Sequence, residues 1–185
     1  MTLVILTEEP SMETTLRSVL PRLGLLPGDF QIVVFQGVGD LEASLIRRVR
    51  AWTDPKARFL VIRDNDNGDC VARKARLTDR LAQAGGLRPA KVRIVIQELE
   101  AWFLGDLDAL RQAGFLKGLS TPAELRGDPE AHLRPVDILR KLDRTYQKGI
   151  GARRIAPYLD LNRNRAASFH ATIRAIQDLA ALNGA

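Results

Sequence analysis

The sequence predicts an α/β fold, in which a mainly parallel, Rossmann-like sheet has flanking helices and is followed by a helical C-terminal extension. Two observations lead to this prediction. Short runs of Val, Ile, Leu and Phe alternate with longer segments of helical periodicity, as they do in chains built from βαβ units. Gly and Pro residues separate these segments, as expected of the turns between strands and helices.

The alternating elements occupy the first 114 residues. Four apolar runs predict strands at about residues 2–7, 30–35, 58–63 and 91–97. Helices are predicted over residues 10–23, 40–52 and 70–84, and a further helix begins with Ala101-Trp102-Phe103-Leu104. Pro10 suits the first turn of the first helix, because its missing N–H would have no partner there. We therefore expect residues 1–114 to form an α/β core.

The remaining chain, residues 115–185, has a different pattern. Residues 115–135 are rich in Gly and Pro and predict loops and short turns. Helices are predicted near residues 135–146 and 165–182, with Gly149-Ile150-Gly151 as a flexible turn between them. We expect this helical extension to pack on the core, so that the two parts form a single compact unit.

The composition excludes several classes of protein. No apolar stretch is long enough to span a bilayer, and the N-terminus lacks the basic segment and apolar run of a signal peptide, so a cytoplasmic protein without membrane contact is expected. The single cysteine, Cys70, excludes an internal disulfide framework and a multi-cysteine zinc site, and two histidines exclude a His-rich metal site. The net charge of +6 permits a polyanionic partner such as nucleic acid but does not establish one.

Acidic residues follow three of the predicted strands. They are Glu8 and Glu9 after the first strand, Asp64 and Asp66 after the third, and Glu98 and Glu100 after the fourth. Open α/β sheets bind ligands at the carboxyl ends of their strands. On an extended backbone Asp64 and Asp66 would point the same way, and like charges held close together are costly unless a cation or a proton lies between them. The pattern therefore favours an oxygen-ligand site for Mg²⁺ or Mn²⁺.

Other interpretations of these residues carry less weight. Residues 64–69 also suit a polar turn, and Asp69 is expected to cap the helix that follows. A calcium loop is a poorer match, because its twelfth position would be Ala75 and not Glu. A haloacid-dehalogenase-type phosphatase carries its Asp-x-Asp motif after the first strand, whereas here the motif follows the third. The Gly-x-Gly-x-x-Gly fingerprint of a dinucleotide site is absent.

The acids at the strand ends resemble the Toprim arrangement of topoisomerases, bacterial primases and the nucleases of the overcoming-lysogenization-defect type. Glu8-Glu9-Pro10-Ser11-Met12-Glu13 is similar to the Toprim glutamate motif, with Glu9 in place of a glycine, and Asp64-Asn65-Asp66 matches the Asp-x-Asp motif. Residues 97–106, which include Leu99-Glu100-Ala101-Trp102, resemble a family of small bacterial Toprim-like proteins described only as a domain of unknown function. Tyr146-x-Lys148 and Ser168-Phe169 are similar to that family as well.

This resemblance implies a Toprim-like fold over nearly the whole chain and a metal-dependent nuclease that acts on DNA or RNA. It also implies a partner ATPase encoded alongside, in bacterial antiphage defence, and it leaves a homodimer open. The expected metal ligands are Glu8, Asp64, Asp66, Glu98 and Glu100, the expected catalytic residues are Glu8, Glu9 and Lys148, and the expected nucleic-acid contacts are Arg153 and Arg154. For Glu98, capping of the helix that follows it is an equal alternative. The alternative function is a non-catalytic Toprim-like scaffold that binds a partner ATPase or nucleic acid.

Overall fold

The computed structural model describes residues 2–84, 88–117 and 120–181, so residues 182–185 of the predicted extension lie outside it. Within the described residues a four-stranded sheet has the order β2-β1-β3-β4, and each neighbouring pair is parallel. The strands are β1 Leu3–Thr7, β2 Phe30–Val34, β3 Arg58–Asp64 and β4 Ala90–Val95. The predicted α/β fold with a parallel, Rossmann-like sheet is confirmed.

Helices connect the strands and make up most of the C-terminal part. They are α1 Pro10–Val19, α2 Val38–Arg50, α3 Cys70–Gln83, α4 Glu100–Leu104, α5 Leu107–Gln112, α6 Pro135–Leu142, α7 Lys148–Ile155 and α8 Ala167–Ala181. The cap predicted for α3 is confirmed, because the Asp69 side chain accepts hydrogen bonds from the backbone N–H groups of Val71 and Ala72. Among the described residues, no helix is both long and apolar enough to cross a membrane.

Two local predictions in the C-terminal part are wrong. Residues 149–151 belong to α7 and do not form a flexible turn. Gly151 is required there because a Cβ atom at this position would come within 2.1 Å of the Tyr146 ring, which packs directly against the helix. The helix predicted to run to residue 146 ends at Leu142. It stops because the Asp143 carboxylate accepts hydrogen bonds from the backbone N–H and hydroxyl of Thr145, which stabilises a turn in place of the helix.

The sheet lies between two apolar layers because alternate residues of a strand point to opposite faces. On one face, Leu3 and Ile5 of β1 pack with α1 and the C-terminal helices, including Trp102 and Phe169. The other face packs against α2 and α3 through residues such as Val61. The C-terminal helices therefore share an apolar cluster with the central strands. Trp102 is buried in that cluster, as expected from its apolar surroundings in the sequence.

The strand order makes β1 and β3 neighbours at the centre of the sheet. The chain leaves β1 through α1 on one face of the sheet and leaves β3 through α3 on the opposite face. Neighbouring strands whose connections diverge in this way form a topological switch point, where open α/β sheets bind their ligands. Glu8 follows β1 and Asp64 ends β3, so the predicted acids lie at this switch point.

Candidate acidic site at the carboxyl edge of the sheet

Glu8 and Asp64 are in direct contact across the switch point. The Glu8 Oε1 atom accepts a hydrogen bond of 3.0 Å from the backbone N–H of Asp64. Both side chains are buried, with exposed fractions of 7% and 5%. The second carboxylate oxygen of Glu8, Oε2, is also buried and has no hydrogen-bond partner among the described residues. The sequence motif therefore brings together two buried acids from different strands.

Glu100 is a third buried acid, contributed by the first residue of α4. Its side chain has no exposed surface, and its Oε1 accepts a hydrogen bond of 3.0 Å from the Tyr146 hydroxyl. Its Oε2 is a second buried oxygen that lacks a hydrogen-bond partner within the described part of the chain. The contact of Tyr146 with this acid could not be assigned from the sequence, where Tyr146 appears only as part of a family resemblance.

Lys148 provides the positive charge of the site from the start of α7. Its Nζ atom lies 2.9 Å from Glu9 Oε1 and 3.1 Å from Glu9 Oε2. Glu100 and Asp64 are close enough for their charges to raise the Lys148 pKa, although burial acts in the opposite direction. The predicted residues Glu8, Glu9, Asp64, Glu100 and Lys148 therefore form one cluster, which we call the acidic site.

Three carboxyl groups of the acidic site have raised pKa values. Burial raises the pKa of Glu8 to about 7, against the effect of the hydrogen bond from the Asp64 backbone. Burial also raises the pKa of Asp64 well above its ordinary range, and the charges of Glu9 and Glu100 add to this effect. The pKa of Glu100 is raised by burial and lowered by the charge of Lys148. These groups therefore resist simultaneous ionisation unless further positive charge reaches the site.

Asp66 lies at the solvent-exposed side of the acidic site. The expectation of an extended backbone over Asp64 and Asp66 is wrong, because β3 ends at Asp64 and Asp66 has a φ of 46°. Its side chain is 49% exposed, and its Oδ2 lies 3.8 Å from Arg73 Nη1. Its charge nevertheless contributes to the raised pKa of Glu8.

Gln97 holds the loop that carries Asp66, a role not predicted from the sequence. The Gln97 carbonyl accepts hydrogen bonds of 3.0 Å from the backbone N–H groups of Asn65 and Asp66. Its side-chain Oε1 accepts from Asn65 Nδ2 at 2.7 Å and from the Asn67 backbone N–H at 2.9 Å. A single glutamine after a strand carries no pattern from which these contacts could have been read.

Glu98 makes its hydrogen bond outside the acidic site, although its charge adds to the raised pKa of Glu100. The helix α4 begins at Glu100, so the two glutamates do not share one extended strand end. The Glu98 Oε2 atom accepts a hydrogen bond of 3.2 Å from the backbone N–H of Val136, in the first turn of α6. This contact is that of a helix cap, but the capped helix is α6 and not α4, which follows Glu98 in the sequence.

Arg153 and Arg154 lie in the last turn of α7, whose first residue is Lys148. Arg154 Nη1 lies 3.0 Å from Asp143 Oδ2, and its guanidinium lies 4.2 Å from the centroid of the Phe115 ring. Arg153 is exposed. Their contact with nucleic acid stays a prediction.

Residues 7–177 match the protein family described as domain of unknown function DUF4276. The chain belongs to this family. The matched range includes every residue of the acidic site, together with Asp66, Gln97 and Tyr146. No curated protein and no solved structure matches the chain.

The donor atoms of this DUF4276 site fit a hard divalent cation. Mg²⁺ and Mn²⁺ prefer carboxylate oxygens, and Glu8 Oε2 and Glu100 Oε2 are buried oxygens without hydrogen-bond partners in the described residues. Across the described ranges, however, no three Asp, Glu, His or Cys side chains stand together as a group that could hold a metal ion. The Lys148 ammonium lies beside the acids instead. Binding of a cation would therefore require carboxylate side chains to converge on it.

Proposed function

We propose that this chain is a Mg²⁺- or Mn²⁺-dependent Toprim-type nuclease that hydrolyses phosphodiester bonds of DNA or RNA. The observation that carries the proposal is the contact between Glu8 and Asp64 at the switch point, with Glu100 and Lys148 beside them. Buried carboxyl groups at the carboxyl edge of a parallel sheet are energetically unfavourable, and a divalent cation is the ligand that would offset that cost. The Toprim-like motifs of the sequence support the same activity.

In this proposal Glu8, Asp64 and Glu100 hold the cation, and Asp66 approaches it from the solvent side. A bound cation of this kind polarises a phosphoryl oxygen and lowers the pKa of a bound water. As an alternative to holding the cation, Glu8 could act as a general acid/base, because without a bound cation burial raises its pKa to about 7. The Lys148 ammonium pairs with Glu9, and it can contact a phosphate oxygen of the substrate in place of Glu9.

The partners are also proposals. The resemblance to small bacterial Toprim-like proteins supports a partner ATPase encoded alongside, with a role in antiphage defence, and a homodimer is compatible with it. Copurification with the neighbouring ATPase, followed by measurement of the mass of the complex, would test the first of these. A monomeric chain that cleaves nucleic acid unaided would contradict a required partner.

Calorimetry with Mn²⁺ and a nuclease assay on the same samples test the proposed activity. We expect wild type to bind Mn²⁺ and to cleave DNA or RNA, and the Glu8→Gln/Asp64→Asn variant to lose both. Glu13→Gln is the matched control, because Glu13 is a carboxylate on α1 that pairs with Arg17 on the surface. A double variant that still binds Mn²⁺ and cleaves as wild type does would refute the assignment of the site.

A non-catalytic scaffold is the second candidate, and one observation favours it. Lys148 already pairs with Glu9, and the described carboxylates do not stand together as a ready metal-binding group. A lysine ammonium beside carboxylates favours their charged form without any metal. Wild type that binds neither Mn²⁺ nor Mg²⁺ and cleaves nothing, yet binds the ATPase or nucleic acid, would establish the scaffold.

A further inference from the structure

The end of β3 places opposite charges on the two faces of the sheet. Asp64 points toward the face of α1 and the C-terminal helices, where it joins the acidic site. The preceding residue, Arg63, points to the opposite face because consecutive side chains of a strand alternate. Its guanidinium pairs with Glu42 of α2, and the residue is only 5% exposed. A buried cation thus lies one residue before a buried acid.

Three more arginines, all on α3, surround the same position. Arg76 Nη2 lies 3.3 Å from Glu42 Oε1, and Arg80 Nη1 donates a hydrogen bond of 2.8 Å to the Glu42 carbonyl. The guanidinium of Arg73 lies across Gly68, where an added Cβ atom would come within 2.3 Å of it. We call Arg63, Arg73, Arg76 and Arg80 the arginine cluster.

The arginine cluster has more positive charge than its acidic neighbours neutralise. Among the described residues, three of its guanidinium groups pair with two carboxylates, Glu42 and Asp66, and the fourth, that of Arg80, donates to the Glu42 carbonyl. Two of its N–H groups, Arg63 Nε and Arg73 Nη1, are buried and have no hydrogen-bond partner in the residues that the structure describes. Unsatisfied donors on buried guanidinium groups indicate a missing acceptor. Phosphate is the acceptor that best matches the planar donor geometry of arginine.

We infer that the arginine cluster binds a phosphate group of a nucleic-acid strand whose neighbouring phosphate reaches the acidic site. Arg73 connects the two sites. It lies on α3, and its Nη1 atom is 3.8 Å from Oδ2 of Asp66, a residue of the loop that follows β3. The strand would cross the carboxyl edge of the sheet from the α3 side to the α7 side. This inference rests on the proposed nuclease function for the identity of the ligand, and it adds a binding subsite that the acidic residues do not provide.

The test is the binding of a short fluorescein-labelled single-stranded oligodeoxynucleotide, measured by anisotropy in EDTA so that no cleavage occurs. Wild type is compared with Arg73→Gln/Arg76→Gln, which removes the Arg76–Glu42 contact but leaves the buried Arg63–Glu42 pair in place. The matched control is Arg47→Gln/Arg48→Gln, which also removes two positive charges. These residues lie in the last turn of α2, which packs on the same face of the sheet as α3. Circular dichroism and thermal unfolding verify that each variant is folded.

We expect the cluster variant to bind about tenfold more weakly than wild type, because hydrogen bonds from charged donors to phosphate are strong. Its plot of log affinity against log salt should be less steep by roughly 0.7 to 1.4, since each contact with a single-strand phosphate contributes about 0.7 to the slope. The control should resemble wild type. Inorganic phosphate should compete with the oligonucleotide in wild type and much less in the cluster variant.

Other outcomes would overturn the inference. Equal affinity and equal salt slope in the cluster variant, the control and wild type would show that the cluster makes no phosphate contact. The absence of any oligonucleotide or phosphate binding by wild type would have the same consequence. The cleavage assay with Mn²⁺ judges the proposed function separately. Loss of binding in the cluster variant, with no cleavage by wild type, would support the subsite while refuting the nuclease.

Discussion

Replacing Glu8 with glutamine is expected to stabilise the protein above neutral pH. In the folded chain the pKa of Glu8 is raised from 4.5 to about 7, mainly by burial. The folded state therefore binds more protons than the unfolded state between about pH 4.5 and 7, and the free energy of unfolding falls as pH rises through this window. One pKa unit corresponds to about 1.4 kcal/mol, so the loss reaches roughly 3 kcal/mol above pH 7.

The Glu8→Gln variant isolates this effect, because glutamine keeps the oxygen that accepts from the Asp64 N–H but carries no charge. Urea unfolding in EDTA should give equal free energies for variant and wild type near the ordinary pKa of 4.5, and a variant more stable by roughly 3 kcal/mol at about pH 8. Saturating Mn²⁺ should reduce this difference, since a ligand of the folded state stabilises wild type. Glu13→Gln, on the surface of α1, is the control and should follow wild type. A variant less stable than wild type at every pH would refute the reasoning.

Three further predictions concern the elements that support the site. Gly151→Ala should lower the free energy of unfolding by about 1–3 kcal/mol, because the new Cβ meets the Tyr146 ring, as urea titration would show. Gly149→Ala on the same helix meets nothing within 4 Å and should raise it by up to about 1 kcal/mol, so equal effects would contradict the packing argument. Asp69→Ala should cost about 1 kcal/mol of unfolding free energy in the same titration, through loss of its two capping hydrogen bonds. Lys148→Met should bind Mn²⁺ more tightly in calorimetry, because a competing cation is removed, yet cleave about a hundredfold more slowly, and weaker Mn²⁺ binding would contradict this.

The sheet and the strand-end acids were accessible from the sequence because they depend on local patterns. An apolar run such as Phe59-Leu60-Val61-Ile62 is long enough to indicate a buried strand, and its C-terminal end fixes where Asp64 lies. Parallel strands then bring their carboxyl ends to one edge, so the meeting of Glu8 with Asp64 follows from topology.

The parts that failed depend on conformations and contacts that no local pattern encodes. Asp66 adopts a positive φ, which aspartate tolerates but which the neighbouring residues do not predict. A glycine at position 151 suggests a turn in the sequence, whereas in the structure it lies inside a helix and allows the close approach of Tyr146. The contact of Glu98 could not be predicted, because it depends on the position of Val136, which lies far along the chain in the first turn of α6.

The electrostatics of the acidic site bear on the choice between nuclease and scaffold. A scaffold that binds nucleic acid needs only the basic side of the sheet edge. It gains nothing from burying Glu8 and Glu100, each with one oxygen that finds no hydrogen-bond partner in the described part of the chain. Glutamine at position 8 would keep the hydrogen bond to Asp64 and avoid the cost of burying a charge, which is roughly 3 kcal/mol at pH 8. A costly acid in place of an adequate neutral residue is expected where the negative charge itself is used, as it is when a cation is held or a proton is transferred. The stability cost of Glu8 therefore favours the nuclease, and the Glu8→Gln titration measures that cost directly.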